Sequence, residues 1–320
     1  MGRHPDFVPK GVIPAVLLPF HDDLSIDEKS FRVHLRDVAT VDGLSAITVN
    51  AHSTEVASCT REEQRRIMEI AGEEVGNSLP IVHGVWADGS LEAARIAREA
   101  QAGGASALLV FPPAPFALGQ SLQMVLAHFK TISDASDLPL IVFQYPLATG
   151  QGYSAATLER LFDEVPTIRA IKDWTPLVPQ HESQIRALQS RKRPVHVLST
   201  NSAWLLSSLV LGCDGLLSGS GSVIANLQAA LFHAVQANDL AEARRINDRI
   251  YPIARVFYAD PFVDMHNRMK EALVLLGKLP RAVVRPPLVK ITAAEIARIR
   301  DALVEAGLLD TGAALGRSAA

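Results

Sequence analysis

Val165-Pro166-Thr167-Ile168-Arg169-Ala170-Ile171-Lys172-Asp173-Trp174-Thr175 is the stretch on which the fold turns. Its middle reads as one short strand that ends in a lysine. By the two-residue period of a strand, Ile168, Ala170 and Lys172 share one face, and Arg169 and Ile171 share the other. An amine at the end of an apolar strand is poorly solvated, and desolvation disfavours the ammonium and lowers its pKa. A neutral amine can attack a ketone and form a Schiff base. The alternative is a lysine that snorkels its charge into solvent at the strand end. What surrounds that end decides between the two.

Working outward, strand-like runs alternate with amphipathic helical runs. The predicted strands are 12–18, 46–49, 80–84, 107–111, 140–143, 168–172, 195–199 and 215–218. They are mostly continuous apolar runs, as expected of strands buried on both faces. Between them the predicted helices are 27–41, 61–75, 91–102, 121–133, 155–164, 181–190, 203–211 and 223–237. Thr60, Ser90 and the pattern Ser25-Ile26-Asp27-Glu28 supply cap signals. Eight such units in series predict an α/β fold of the (β/α)8 TIM barrel type. Three further helical patterns, 240–258, 262–276 and 293–306, have no strand between them, and Pro252, Pro261, Pro280, Pro286 and Pro287 mark kinks or ends there. The expected organisation is a barrel over 1–237 and a C-terminal helical region over 238–320 packed on it, with a frayed alanine-rich tail after Gly312.

Composition removes several classes of function. With 320 residues and 48% apolar content the chain can bury a large core. A net charge of −3 shows no basic footprint for nucleic acid. No apolar run reaches the length of a membrane span, and the first residues contain no apolar signal segment. Cys59 and Cys213 are isolated, which excludes a disulfide framework and suits a reducing cytoplasm. No His/Asp/Glu cluster has metal-ligand spacing, so no metal is expected.

Barrels of this type carry their chemistry in the loops after the strands. Lys172 lies at such an end. Asn50-Ala51-His52-Ser53-Thr54-Glu55 follows the second strand; its small polar residues and free backbone N–H groups can bind a carboxylate, or can simply lead into the next helix. Phe143-Gln144-Tyr145-Pro146 ends the fifth strand, and Tyr145 either relays protons at the mouth or points its hydroxyl to solvent. Ser218-Gly219-Ser220-Gly221-Ser222 follows the eighth strand and reads as a phosphate loop or as a tight turn, without the P-loop form. His83 reads as a hydrogen-bonded core histidine, and His181 and His233 as surface residues of helices.

From about Lys10 to Leu308 these pieces resemble the dihydrodipicolinate synthase/N-acetylneuraminate lyase family. The resemblance rests on Gly11-Val12-Ile13-Pro14-Ala15-Val16-Leu17-Leu18-Pro19-Phe20, on Ala51-His52-Ser53-Thr54-Glu55, and on Pro146-Leu147-Ala148-Thr149-Gly150. It continues through Ile168-Arg169-Ala170-Ile171-Lys172-Asp173, Gly215-Leu216-Leu217-Ser218, Met269-Lys270-Glu271-Ala272-Leu273 and Arg285-Pro286-Pro287-Leu288. It implies a class I lyase in which Lys172 forms an iminium with pyruvate or a longer 2-oxo acid, as an aldolase or as a 2-keto-3-deoxy acid dehydratase. Ser53 and Thr54 would hold the carboxylate, Phe143, Leu217 and Ser218 would contact substrate, and His52 or Tyr145 would carry protons. No external cofactor is implied, because the lysine supplies the electrophile. A homo-oligomer, dimer or tetramer, is implied as well. There are departures. The family's relay tyrosine falls on Phe143, the loop Pro112-Pro113-Ala114-Pro115-Phe116 lacks the second tyrosine, and the arginine that grips aspartate semialdehyde falls on Ala148. These speak against dihydrodipicolinate synthase activity itself. They also leave open a member that binds a 2-oxo acid or phosphate ester without turnover.

Overall fold

The computed structural model describes residues 3–310, so the alanine-rich tail lies outside the described residues. Eight strands form one all-parallel sheet: β1 (Gly11–Pro14), β2 (Ile47–Val49), β3 (Ile81–Val85), β4 (Ala107–Val110), β5 (Leu140–Gln144), β6 (Ile168–Asp173), β7 (His196–Ser199) and β8 (Gly215–Ser218). Each from β2 to β7 pairs with the next in sequence, and β8 pairs with β1. The ring closes between β1 and β2 through single parallel bridges, Val12 with Leu44 and Ala15 with Thr48. There the Ser45 and Val16 amides donate to the Val12 and Thr48 carbonyls at 2.9 and 3.0 Å. The result is the TIM barrel expected from the sequence.

Helices α1 (Glu28–Ala39), α2 (Arg61–Glu74), α3 (Ser90–Ala102), α4 (Leu122–Ser133), α5 (Ala155–Glu164), α6 (Val178–Gln189), α7 (Leu205–Val210) and α8 (Gly221–Gln236) surround it. Thr60 caps α2 in a reciprocal capping box with Glu63. Two other caps differ from expectation. Asp27, not Ser25, caps α1 by accepting from the Ser30 amide, because Ser25 is bonded to Asp23. Ser90 begins α3 instead of capping it and bonds the ring of His128 at 3.0 Å.

Two apolar layers result. Ile13, Val82, Leu109, Ile141, Ala170 and Leu217 point into the barrel, and a larger set fills the space between strands and helices. One predicted face is corrected. Leu140 of β5 pairs with Ile168, yet the next residue, Ile141, pairs with Ala170, so the register shifts at Arg169. Ile168 therefore packs in the outer layer while Ala170 faces inward. Such an insertion re-aims the side chains that follow it. Beyond the barrel come α9 (Leu240–Phe257), α10 (Met265–Leu275) and α11 (Ala293–Glu305), with α9 and α10 packed on α8. Pro252 lies inside α9 without ending it. Among the described residues no helix is long and apolar enough to cross a membrane.

Candidate active site

Lys172 is at the C-terminal end of β6, paired laterally with Phe143 of β5 and Leu198 of β7. After the register shift it shares the inner face with Ala170. Its side chain is 4% exposed, and its Nζ lies 3.9 Å from the centre of the Phe143 ring. Burial pushes its pKa down from 10.5 to about 7. The charge is thus not snorkelled away, and a large fraction of this amine is neutral near pH 7.

The loop after β2 is held between two residues in left-handed backbone, Asn50 at φ 52° and Glu55 at φ 51°. Such conformations cost on the order of 1 kcal/mol or more in a non-glycine residue and persist only where the surroundings over-determine them. Here they do. The Asn50 amide donates to the Gln64 carbonyl at 2.8 Å and meets His83 Nε2 at 2.8 Å. Glu55 pairs with buried Lys270 of α10 and accepts from the Arg285 amide at 3.1 Å. Gly84 is required beneath the loop, because a Cβ there would lie 1.8 Å from the Asn50 carbonyl oxygen. His83 is thereby the hydrogen-bonded core histidine expected of it.

Between these anchors, His52–Thr54 form a 3-10 turn. The His52 ring packs among Trp86, Phe111, Phe143 and Tyr145, and its Nε2 lies 2.8 Å from the Tyr145 hydroxyl. Burial, then the nearby charge of Lys172, holds the imidazole well below its usual pKa, and burial raises that of Tyr145. The pair is therefore neutral on both sides. Ser53 and Thr54 diverge. The Thr54 hydroxyl is occupied within the turn, accepting from the Ala51 amide at 3.0 Å and donating to the Val16 carbonyl at 3.3 Å. The Ser53 hydroxyl is buried without a partner.

A cavity of ≈ 40 Å³ joins these groups, lined by Ala15, Ala51, His52, Ser53, Phe143, Lys172, Trp174, Thr200 and Gly219. The chain beyond the barrel adds Tyr258, Phe262, Met265 and His266. Tyr145 reaches the cavity through His52. Leu217 belongs to the packed barrel interior below, and Gly219 takes the lining position after β8. Ser218, Ser220 and Ser202 bond one another, with Gln228 and Tyr258 donating into the cluster at 2.9 Å. Ser222 accepts from the Leu17 amide and meets His34 at 2.7 Å. The serine loop thus spends its hydroxyls inside the protein, which suits a tight turn and not a phosphate seat.

His181 corrects its sequence reading. It is fully buried, with Nδ1 at 2.7 Å from Asp173, because α6 begins at Val178 and turns that face onto β6. His233 is exposed as expected. The residues that sequence reasoning missed are those beyond the barrel, above all His266. Its helix offers one faint signal. Within 265–271 polar and charged side chains point in every direction, which leaves no apolar stripe and requires internal pairing. A larger groove of ≈ 390 Å³ between α9, α10 and α11 lies away from the strand ends and from Lys172.

A buried amine at the mouth of a parallel barrel, beside an imidazole–phenol pair, defines a class of site suited to iminium chemistry. The profile of the dihydrodipicolinate synthetase family matches residues 8–306, and the chain belongs to that family. Its relatives include 4-hydroxy-tetrahydrodipicolinate synthases from Gluconacetobacter diazotrophicus and Nitrobacter hamburgensis. Each is 30% identical to it, with 94% of this chain and 98% of the relative covered. Among solved structures it is similar to YagE, a prophage protein of this family from E. coli K12 determined in complex with pyruvate. The TM-score is 0.86 at 25% identity over 94% of this chain and 99% of that one.

Proposed function

We propose that the protein is a Schiff-base lyase that cleaves a carbon–carbon bond in a 2-oxo acid and releases pyruvate, and that runs in reverse as a pyruvate aldolase. The observation that carries this reading is the Lys172 amine, buried in the inner mouth, lowered to about 7, and in one cavity with His52. Lys172 Nζ attacks the keto carbon, and loss of water gives the iminium. A base takes the proton of the C4 hydroxyl, the C3–C4 bond breaks, and its electron pair forms the enamine while C4 leaves as a carbonyl compound. The enamine is protonated at C3, and water hydrolyses the iminium to free pyruvate and the amine.

The His52–Tyr145 pair is the proton carrier in this scheme. With both groups neutral, the phenol and Nε2 share one hydrogen bond, and the His52 ring lines the cavity. This pair takes the place of the hydroxyl that Phe143 lacks. No carboxylate, guanidinium or amide side chain lines the cavity among the described residues. A sugar acid carries more hydroxyls than Thr200 and Tyr258 could bond once the carboxylate is seated, and each one left unpaired would cost roughly 1–3 kcal/mol. The departing carbonyl compound is therefore uncharged and apolar, which argues against aspartate semialdehyde and against sugar-acid dehydration.

Borohydride reduction in the presence of pyruvate tests the core of the reading. It is expected to convert the lysine into its Nε-(1-carboxyethyl) derivative, seen by intact mass and mapped to Lys172. A Lys172→Ala protein that still becomes labelled would remove the lysine from its role.

A further inference from the structure

We propose that His266, brought by α10 from beyond the barrel, is a substrate-binding residue that seats the carboxylate of the 2-oxo acid together with Ser53. This rests on the Schiff-base reading above and adds to it a group outside the βα loops.

Among the described residues, the Ser53 hydroxyl and the His266 ring face this cavity without a hydrogen-bond partner, as do the Lys172 amine and the Thr200 hydroxyl. The Ser53 hydroxyl is buried and unbonded. His266 is 8% exposed, lines the same cavity, and forms no hydrogen bond among the described residues. Buried polar groups left unsatisfied are costly, and two facing one space point to a ligand that both can bond. They lie on the same side. A Cβ built on Gly219 would meet His266 Nε2 at 3.0 Å and the Ser53 Cβ at 3.7 Å, so only the missing side chain of Gly219 keeps room between them.

The placement is rigid. His266 and Lys270 are one helical turn apart on α10 and share a face. Lys270 is bonded to Glu55, which closes the very turn that carries Ser53. Arg268 on the next face donates to the carbonyls of Phe257, Ala259, Asp260 and Pro261, which pins the chain leading into α10. One loop and one helix thus hold the two donors in fixed register.

The chemistry asks for such a group. Lys172 is the one side-chain cation source besides the two imidazoles in the lining, and it is consumed by the keto carbon. The carboxylate then needs donors elsewhere. Ser53 offers one O–H, and His266 offers the N–H of a neutral imidazole, since burial and then the charges of Lys172 and Lys270 push its pKa down to about 3; the charge in the hydrogen bond is the carboxylate's.

The test compares pyruvate with methyl pyruvate, which keeps the ketone and lacks the charge, in borohydride trapping of the full-length protein. His266→Leu is expected to raise the half-saturating pyruvate concentration about 10- to 100-fold, the loss of one charge-assisted hydrogen bond, while leaving methyl pyruvate unchanged. His266→Asn serves where the leucine variant does not fold, with an effect of the same direction. A change of equal size for both ketones, or no change for either, overturns the role of His266. Failure of the unmodified protein to trap either ketone refutes instead the Schiff-base reading on which the proposal stands.

Discussion

At the scale of single residues, Lys172 is a stability cost retained in an apolar place. Its folded pKa of about 7 lies below the unfolded value near 10.5, so between those values the unfolded chain binds the extra proton. Stability linked to this group therefore rises with pH across that window. Below it the full penalty applies, about 5 kcal/mol by the difference in pKa. Lys172→Met is accordingly expected to melt higher than the unmodified protein at pH 7, with the gap closing toward pH 10; a lower-melting variant would contradict the burial seen here. The same shift has a kinetic face. Iminium formation at low pyruvate is expected to climb about tenfold per pH unit up to about 7 and then level, because only the neutral amine attacks. A rise that continues to pH 10 would mean an amine of ordinary basicity. Tyr145→Phe separates capture from turnover. Trapping of pyruvate is expected to survive, while cleavage falls about 10²- to 10⁴-fold, as for loss of a general acid–base group.

At the scale of elements, the strands were legible because each is a short apolar run between turn signals, and continuity through both faces marks a parallel sheet. The position of Lys172 at a strand end was legible for the same reason. The register shift at Arg169 was not, since it arises from pairing with β5, and pairing is not written in the local period. Nor was the burial of His181, which depends on α6 starting earlier than its apolar pattern. The β2 loop shows what periodicity cannot supply: its two left-handed residues are held by partners 14 to 230 positions away. The bond between Glu55 and Lys270 is the one of these ties made by two ionised groups, with the lysine wholly buried and its pKa lowered chiefly by that burial. Glu55→Gln is expected to cost about 3–5 kcal/mol in chemical unfolding, because an ammonium is left buried without a counter-charge. Adding Lys270→Met to it should recover a good part of that loss. Strict additivity of the two changes would show that the pair is not coupled.

At the scale of the whole molecule, the barrel makes most of the site and the chain after it makes the roof. Trp174 leaves β6 and stacks on Phe262 at 5.3 Å between ring centres, 19° from parallel, while Tyr258 and Met265 close the sides. A sequence search confined to βα loops stops short of these residues, which are adjacent to Lys172 only once α9 and α10 have packed on α8. The roof also sets the size of what enters. The space beneath it is narrow, ≈ 40 Å³, and Phe262 is part of the wall that a carbonyl partner meets. Since that wall is aromatic and uncharged, aldol addition of pyruvate is expected to favour acetaldehyde over glyceraldehyde and aspartate semialdehyde. Phe262→Ala is expected to extend the range to benzaldehyde, whose ring would take the place of the lost phenyl against Trp174. Product formation followed by chromatography reads this out directly. A preference for the polyhydroxylated or charged aldehyde, in a protein that still captures pyruvate at Lys172, would leave the amine its role and overturn the apolar partner.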